Sequence, residues 1–296
     1  MHKKYRVAES LAGINLSRKS EKELNQIFLE ILNAGIYGIS FSAYLENQLP
    51  GCQITEEQIH ARMKIIKPYV KWVRSFSCTE GNEHIPRIAH ENGIKTLVGA
   101  WLGKENDKND IELDAIIKVA KAGHADVIAI GNEVMLRGDL SEGEIIDAIQ
   151  RVKREVPGIP VSYVDAYFEF AAHPGITDAC DIIYANCYPF WEGFSIDHSL
   201  LYLKEMYHIA VKASRGKKVI ISETGWPNIG TPEKEAVPSN MNALKYFINA
   251  FNWAAEENID IFYFSSFDET WKIDVEGDVG AYWGLWDKDG SLKYGS

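Results

Sequence analysis

The chain has 296 residues, of which 46% are hydrophobic and 25% are charged, so it is long enough for one large globular domain or two smaller ones. Its formal net charge of -11 argues against nucleic acid as a partner, because nucleic-acid binding depends on Lys and Arg side chains that neutralise phosphates. A neutral substrate is the natural alternative. The 8 Trp and 14 Tyr residues suit either a core or a site that stacks on flat ligands.

The N-terminal ten residues carry positive charge, but the apolar run of a secretory signal does not follow them. No stretch of the sequence approaches the roughly 18 apolar residues of a membrane span, so no membrane association is expected. The chain as given is therefore expected to be cytoplasmic, or secreted or periplasmic if a signal has been removed from it. It is expected to act as a monomer.

The four cysteines lie without the CxxC spacing of a metal site, at Cys52, Cys78, Cys180 and Cys187. The last two flank one predicted strand, and an extended segment would hold them too far apart to form a bridge. Free thiols are the favoured interpretation, with a Cys52–Cys78 bridge as the alternative. The histidines at positions 84, 124, 173 and 198 share no ligand spacing, so neither a metal nor a cofactor is expected.

The first predicted element is a helix in residues 20–35. Ser20 and Glu23 have the spacing of a capping box, apolar residues recur behind them at helical spacing, and Gly35 ends the run. Residues 1–35 are therefore interpreted as a lead-in segment with one helix. A strand–helix repeat follows in residues 36–296.

Eight predicted strands alternate with helices along this repeat. The strands fall at residues 36–43, 69–77, 94–101, 125–132, 159–164, 181–187, 217–222 and 259–267. The helices fall at residues 55–67, 82–92, 110–122, 141–155, 197–213 and 239–257. Such alternation implies a parallel sheet with right-handed crossovers. Eight units without a glycine-rich phosphate loop favour an α/β fold of the (β/α)8 (TIM) barrel type, in a single domain, over a doubly wound sheet.

Predicted strands four and seven each lead into a glutamate. Strand four ends in Gly131-Asn132-Glu133, and strand seven leads to Glu223, after which Gly225 and Pro227 turn the chain. The carboxyl ends of barrel strands surround the active site, so the two carboxylates should share one cleft. Cleavage of a glycosidic bond requires such a pair: one acid attacks or orients water, and the other, with a raised pKa, protonates the leaving oxygen.

These two motifs, Gly131-Asn132-Glu133 and Ser222-Glu223-Thr224-Gly225-Trp226-Pro227, resemble those of glycoside hydrolase family 17, the β-1,3-glucanases and related glucanosyltransferases. The resemblance runs from about residue 37 to the C-terminus. It implies that Glu133 is the general acid/base and Glu223 the nucleophile of a retaining double displacement, with carboxyl groups about 5–5.5 Å apart. It also implies that Asn132 hydrogen-bonds the 2-hydroxyl of the sugar at the cleavage subsite.

The resemblance extends to the end of strand eight and the loop behind it. It implies that Glu269, Lys272 and Glu276 lie beside the catalytic pair, where the lysine would offset the cost of gathering carboxylates. For Glu276 a solvated acidic loop is the alternative, and the surrounding stretch lacks the length and alternation of a calcium loop. Tyr188, after strand six, is implied to lie near the nucleophile. Arg74 and nearby Ser77 are placed by strand two to touch the site.

Four tryptophans are candidates to stack on sugar rings, with core packing as the alternative for each: Trp226, Trp271, Trp283 and Trp286. The chain departs from the family after the first strand, where Phe41-Ser42-Ala43-Tyr44 lacks the usual proline, so details of the non-reducing side of the cleft are expected to differ. The short segment 167–180 after strand five predicts fewer sugar subsites.

The leading hypothesis is a retaining glycosidase that cleaves β-1,3-glucosidic bonds in laminarin-type polymers or oligosaccharides, with β-1,3-glucan as its partner. A glucanosyltransferase, in which a sugar intercepts the same intermediate, is the near alternative. A non-catalytic carbohydrate-binding barrel is disfavoured by the presence of both acids and Asn132. A cofactor-using barrel is disfavoured because no lysine or phosphate-binding loop stands out at the relevant strand ends.

Overall fold

The structure, a computed structural model, describes residues 16 and 18–295. Eight parallel strands follow one another around a closed barrel, in which the last pairs with the first, so the predicted (β/α)8 fold is confirmed. The strands are β1 (Ile36–Ser40), β2 (Val70–Arg74), β3 (Lys95–Ala100), β4 (Val127–Asn132), β5 (Val161–Ala166), β6 (Ile183–Asn186), β7 (Val219–Thr224) and β8 (Ile261–Tyr263).

Helices surround the barrel and carry the chain from each strand to the next. The α-helices are Glu21–Ala34, Glu56–Ile66, Ile85–Glu91, Asn106–Lys121, Val134–Arg137, Glu142–Glu155, Glu169–Ala172, Pro174–Ala179, Ile196–Ala213, Asn240–Glu257 and Ile273–Glu276. Short 3-10 helices occupy Asn82–His84 and Thr270–Lys272. None of the helices in the described part of the chain is both long and apolar enough to cross a membrane.

Three of the long helices begin at capping boxes, at Ser20, Thr55 and Ser141. At each, the hydroxyl oxygen accepts from the amide three residues on, and that residue's side chain accepts from the cap amide in return. The capping box predicted at Ser20 is confirmed. The four cysteines, all within the described residues, are free thiols.

The prediction that strand eight extends to residue 267 is wrong. After Tyr263 the regular strand ends. Phe264 N and Ser266 N still donate to the Thr224 and Ser40 carbonyls, but the backbone also pairs with the C-terminal segment. Ser265 N donates to the Trp283 carbonyl at 3.1 Å, and Trp286 N donates to the Ser266 carbonyl at 2.9 Å. The apolar residues that lengthened the predicted strand are buried in part by this second layer of chain, in which Phe264 packs on Trp283 and Phe267 on Trp286.

The barrel interior is filled by apolar side chains from alternate strand positions, because successive residues of a strand point to opposite faces. This cluster consists of Leu97, Val127, Ala129, Val164, Tyr184, Ile220 and Phe262. Above it the pairing register slips near the carboxyl ends of β4, β6 and β7. At the rim of a barrel, such irregularities change the direction in which side chains point. They occur on the three strands that carry Asn132, Asn186 and Glu223.

The lead-in helix Glu21–Ala34 packs into the outer layer of the barrel. Its Phe28 ring is fully buried and lies 4.7 Å from the ring of Phe247 and 5.3 Å from that of Tyr294. The Gly295 amide donates to Asn25 Oδ1 at 3.0 Å. The helix therefore joins the helix between β7 and β8 to the C-terminal segment.

Replacing Phe28 with Ala is expected to lower the free energy of unfolding of the whole barrel by about 3–5 kcal/mol, because it leaves a cavity between three packed elements. Urea unfolding followed by circular dichroism measures this. Lys22→Ala, an exposed change on the same helix, is the control and should be close to neutral. An equally small effect of Phe28→Ala would mean that the helix does not unfold together with the barrel.

Candidate active site

Glu223 lies at the end of β7 and is almost completely buried. Its Oε2 accepts a hydrogen bond from the Tyr188 hydroxyl at 2.6 Å, and its Oε1 accepts one from Arg74. Burial, with the Glu223 charge as the second cause, raises the pKa of Tyr188 well above its ordinary value, so the phenol stays a donor. The carboxylate is therefore held in one orientation from both sides.

Arg74 connects three strands beneath the cleft. The side chain is 2% exposed, with its guanidinium stacked 4.4 Å from the Phe76 ring centre. In addition to its ion pair with Glu223, Nη2 donates to Asn132 Oδ1 at 2.7 Å. The sequence placed Arg74 in contact with the site, and the structure brings it directly against Glu223 and Asn132.

Glu133 follows β4 and is held by a different set of contacts. Asn186 Nδ2 donates to Glu133 Oε1 at 2.8 Å, and Ser222 Oγ in turn donates to Asn186 Oδ1 at 2.7 Å. Burial raises the pKa of Glu133 to about 7; the charge of Glu223 acts in the same direction, and the Asn186 bond opposes both. Glu133 thus retains its proton up to about neutral pH while Glu223 is tied to a cation.

The backbone of Glu133 adopts a left-handed conformation, with φ of 53°, which costs a non-glycine residue roughly 1–2 kcal/mol. Contacts from β5 hold the turn that follows. The Met135 amide donates to the Tyr163 hydroxyl at 2.8 Å and to Asp165 Oδ2 at 3.1 Å. Tyr163 itself donates to Asp165, whose pKa burial raises to about 6. The sequence interpretation missed Asp165, although an acid near the end of an apolar strand was the available signal.

Glu269, Lys272 and Glu276 lie together at the cleft, as the family resemblance implies. Lys272 Nζ is 2.6 Å from Glu269 Oε2, and Trp271 Nε1 donates to Glu269 Oε1 at 3.1 Å. Burial raises the pKa of Glu276 to about 7, with Lys272 opposing the shift and Glu269 and Glu223 adding to it. Glu276 faces these groups, which favours a place in the site over a solvated loop.

Two cavities meet above the acids and form the two halves of one cleft. Both are lined by Glu133, Glu223, Phe264 and Glu276. The large half-cleft, of about 960 Å³, also includes Trp101, Ile111, Asn132, Glu269, Trp271 and Lys272. The small half-cleft, of about 280 Å³, also includes Tyr167, Phe168, Asn186, Tyr188, Trp191 and Glu192. A linear polymer bound along the cleft would pass the two acids where the two halves join.

The prediction that Trp226 contacts sugar is corrected by the structure. Its side chain is 1% exposed, its Nε1 donates to the Val237 carbonyl at 3.0 Å, and its ring packs edge-on against Phe190 at 5.2 Å. Trp283 and Trp286 are also core residues. The Trp-Pro turn after β7 faces inwards because the helix Asn240–Glu257 covers it.

The aromatic side chains that do line the cleft come from other loops. Trp271 lines it as predicted, but Trp101 and Trp191 were not assigned to the site from the sequence. Both are partly exposed on opposite halves of the cleft. The sequence signal was their position, with Trp101 at the end of predicted strand three and Trp191 shortly after predicted strand six. Within residues 18–295, no group of three or more His, Cys, Asp or Glu side chains is arranged to hold a metal ion.

The closed parallel barrel and its family relationships define a glycoside hydrolase. The model of the BtgE/BtgC glycoside hydrolase domain matches residues 38–284, and the chain belongs to this family, within glycoside hydrolase family 17. The expectation drawn from the two glutamate motifs is thereby confirmed at the level of the family and of glycosidase activity.

Individual relatives support the assignment. A glucan 1,3-beta-glucosidase of Schizosaccharomyces pombe is 26% identical over 278 residues, which is 86% of this chain and 85% of that protein. One of Candida albicans is 25% identical over 262 residues, or 78% and 83% of the two chains. The crystal structure of the family 17 beta-1,3-glucanosyltransferase from Rhizomucor miehei superposes with a TM-score of 0.80 at 31% identity, covering 89% of this chain and 97% of the other.

Replacing Glu223 with Gln should lower the pKa of Glu133, because it removes a negative charge that now opposes ionisation of Glu133. Carbon NMR titration of isotope-labelled glutamate side chains measures the shift. The control is Asp178→Asn, which removes one charge from an exposed pair with Arg215 and should leave the Glu133 titration unchanged. An unchanged titration in Glu223→Gln would show that the two acids are not coupled.

Proposed function

We propose that this enzyme hydrolyses β-1,3-glucosidic bonds in β-1,3-glucan polymers or oligosaccharides, with retention of anomeric configuration. The observation that carries the proposal is the unequal pair of acids at the cleft junction. Glu133 is protonated up to about pH 7, and Glu223 is oriented by Arg74 and Tyr188. A proton donor and a fixed carboxylate nucleophile are the two groups that a retaining glycosidase needs.

In the first step, a Glu223 oxygen attacks the anomeric carbon while the glycosidic bond breaks and Glu133 gives its proton to the departing oxygen. The Asn132 amide, whose Oδ1 is occupied by Arg74, presents its NH2 group to the 2-hydroxyl of the sugar at the cleavage subsite. The products are a shortened sugar that carries a new hydroxyl at its non-reducing end and a glycosyl ester on Glu223.

In the second step, the ester has removed the negative charge of Glu223, so the pKa of Glu133 falls and Glu133 becomes a base. It takes a proton from water as the water oxygen attacks the anomeric carbon and the Glu223 ester bond breaks. Glu133 is again protonated and Glu223 again ionised. Two displacements at one carbon restore the original configuration.

The substrate assignment rests on the relatives and on the charge of the chain. The proteins named above are glucan 1,3-beta-glucosidases and a beta-1,3-glucanosyltransferase, and another structure of the latter contains an active-site mutant in complex with laminaritriose. A net charge of -11 suits an uncharged polysaccharide. The cleft extends to both sides of the acids, as sugars on either side of a cleaved bond require.

The small half-cleft favours glucanosyl transfer as a second candidate activity. This half-cleft is lined by Tyr167, Phe168 and Trp191 together with Glu133. In the second step Glu133 would activate the incoming hydroxyl, from water or from a sugar, on this side. Aromatic walls that hold a sugar there would let its hydroxyl compete with water for the glycosyl ester. The same intermediate then yields a lengthened chain in place of a hydrolysed one.

The kcat/KM of the enzyme on a β-1,3-linked oligosaccharide should fall above about pH 7, because only protonated Glu133 can donate a proton to the departing oxygen. Glu133→Gln should lower the rate by about 10²–10⁴-fold and abolish that limb of the profile. An aryl glucoside with an acidic phenol as leaving group should lose much less rate in its first step, since this group departs without a proton.

The matched control for this measurement is Glu155→Gln, a charge change at an exposed ion pair with Lys121, which should keep both the rate and the pH profile. Full activity of Glu133→Gln, or persistence of the alkaline limb in that variant, would contradict the assignment of Glu133. Anomer analysis of early products by proton NMR checks retention separately.

Trp191→Ala should reduce the ratio of transfer products to hydrolysis products, because it removes an aromatic wall from the half-cleft that would hold the acceptor sugar. Chromatography of the products of one defined oligosaccharide measures this ratio, since chains longer than the starting material arise only by transfer. Ile209→Ala, an exposed apolar truncation on the helix Ile196–Ala213, is the control. An unchanged ratio would place acceptor binding elsewhere.

A further inference from the structure

Trp101 is a large apolar side chain that the fold leaves exposed inside the cleft. It follows β3, is 44% exposed and lines the large half-cleft together with Ile111, which is 58% exposed. Both belong to the wall of the cavity that also contains the acids. An exposed apolar patch within a cavity commonly marks a binding surface.

The loop that carries Trp101 is fixed by several hydrogen bonds. The Trp101 amide donates to Glu112 Oε2 at 3.2 Å. Further along, Gly103 N donates to Asn109 Oδ1 at 2.8 Å, and Asn109 Nδ2 donates back to the Gly103 carbonyl at 2.7 Å. The backbone that carries the indole is therefore anchored to the helix Asn106–Lys121.

Glu112 extends this anchoring to the loop after β2. Its buried carboxylate also accepts from the Cys78 amide at 2.9 Å and from the Thr79 hydroxyl at 2.6 Å. Burying a carboxylate is unfavourable unless it is well bonded, and here each bond restrains one of two cleft loops. One acid thus sets the position of the neighbouring walls of the large half-cleft.

The indole itself is supported by Arg137. The guanidinium carbon lies 4.7 Å from the Trp101 ring centre, in a cation–π contact, while Nη2 donates to the Leu102 carbonyl at 2.7 Å. Arg137 also donates to the carbonyl of Asn132, at the cleavage subsite. A rigid aromatic surface of this kind binds a flat apolar face with little loss of conformational entropy.

We infer that Trp101 forms a distal sugar subsite, which stacks a glucose ring of a bound glucan chain beyond the ring at the cleavage subsite. The inference rests on the proposed function, which places the ring bonded by Asn132 in the large half-cleft. Because Asn132 lines that half and not the other, Trp101 contacts the portion of the chain that becomes attached to Glu223. The subsite sets how strongly the enzyme prefers long chains.

The test measures binding and turnover separately on linear β-1,3-linked glucose oligosaccharides from the disaccharide to the heptasaccharide. Binding is followed by calorimetry in a Glu223→Gln background, and kcat/KM is measured with Glu223 intact. Trp101→Ala should weaken binding and reduce kcat/KM by about tenfold for long chains and leave the shortest bound chains unaffected. Trp101→Tyr, which keeps an aromatic face, should retain most of the preference for long chains.

Ile209→Ala is the surface control and should match the parent at every chain length. A loss of equal size at all lengths, or no loss at any length, would overturn the subsite. If the wild-type chain cleaves none of the oligosaccharides but Trp101 still governs how affinity grows with length, the hydrolase proposal fails and the subsite stands. Absence of binding to every oligosaccharide would overturn both.

Discussion

The site depends on one buried cation placed beneath the strand ends. Arg74 contacts Glu223 and Asn132 at once and thereby links β2, β4 and β7 at the level where the register of the sheet slips. Carboxylates gathered at close range in the barrel mouth would repel one another without such a positive charge. The arginine is ion-paired with Glu223, whereas for Glu133 it is only a minor influence that lowers the pKa, so the two acids have unequal surroundings.

This asymmetry is maintained by neutral groups as well as by charge. Glu223 accepts from a cation and a phenol, whereas Glu133 has the Asn186 amide as its side-chain donor. Asn186 is itself oriented by Ser222, the residue that precedes Glu223. The environments of the two acids are therefore built from the same few strand ends, and a shift of one strand would alter both. The protonation of Glu133 therefore depends on several strand ends at the barrel rim and not on one neighbour alone.

Much of the fold and both acids were predictable from the sequence, because strand periodicity, capping boxes and carboxylates after apolar runs are local signals. The environment of Trp226 was not, since whether an indole faces a cleft or the core depends on a helix distant in sequence that covers it. The roles of Asp165 and Trp101 were missed for the related reason that their partners, Met135 and Glu112, lie on separate helices. Strand eight was overextended because the C-terminal segment supplied the burial.

The site is built on two kinds of backbone, the strand ends and the loops that follow them. The two acids stand on or directly beside the hydrogen-bonded ladder, whereas the aromatic walls of the cleft stand outside the strands. Loops tolerate insertion and replacement far better than a closed sheet does. A barrel of this kind can therefore accept changes in the length and lining of its groove through its loops without moving the strand ends that hold the two acids.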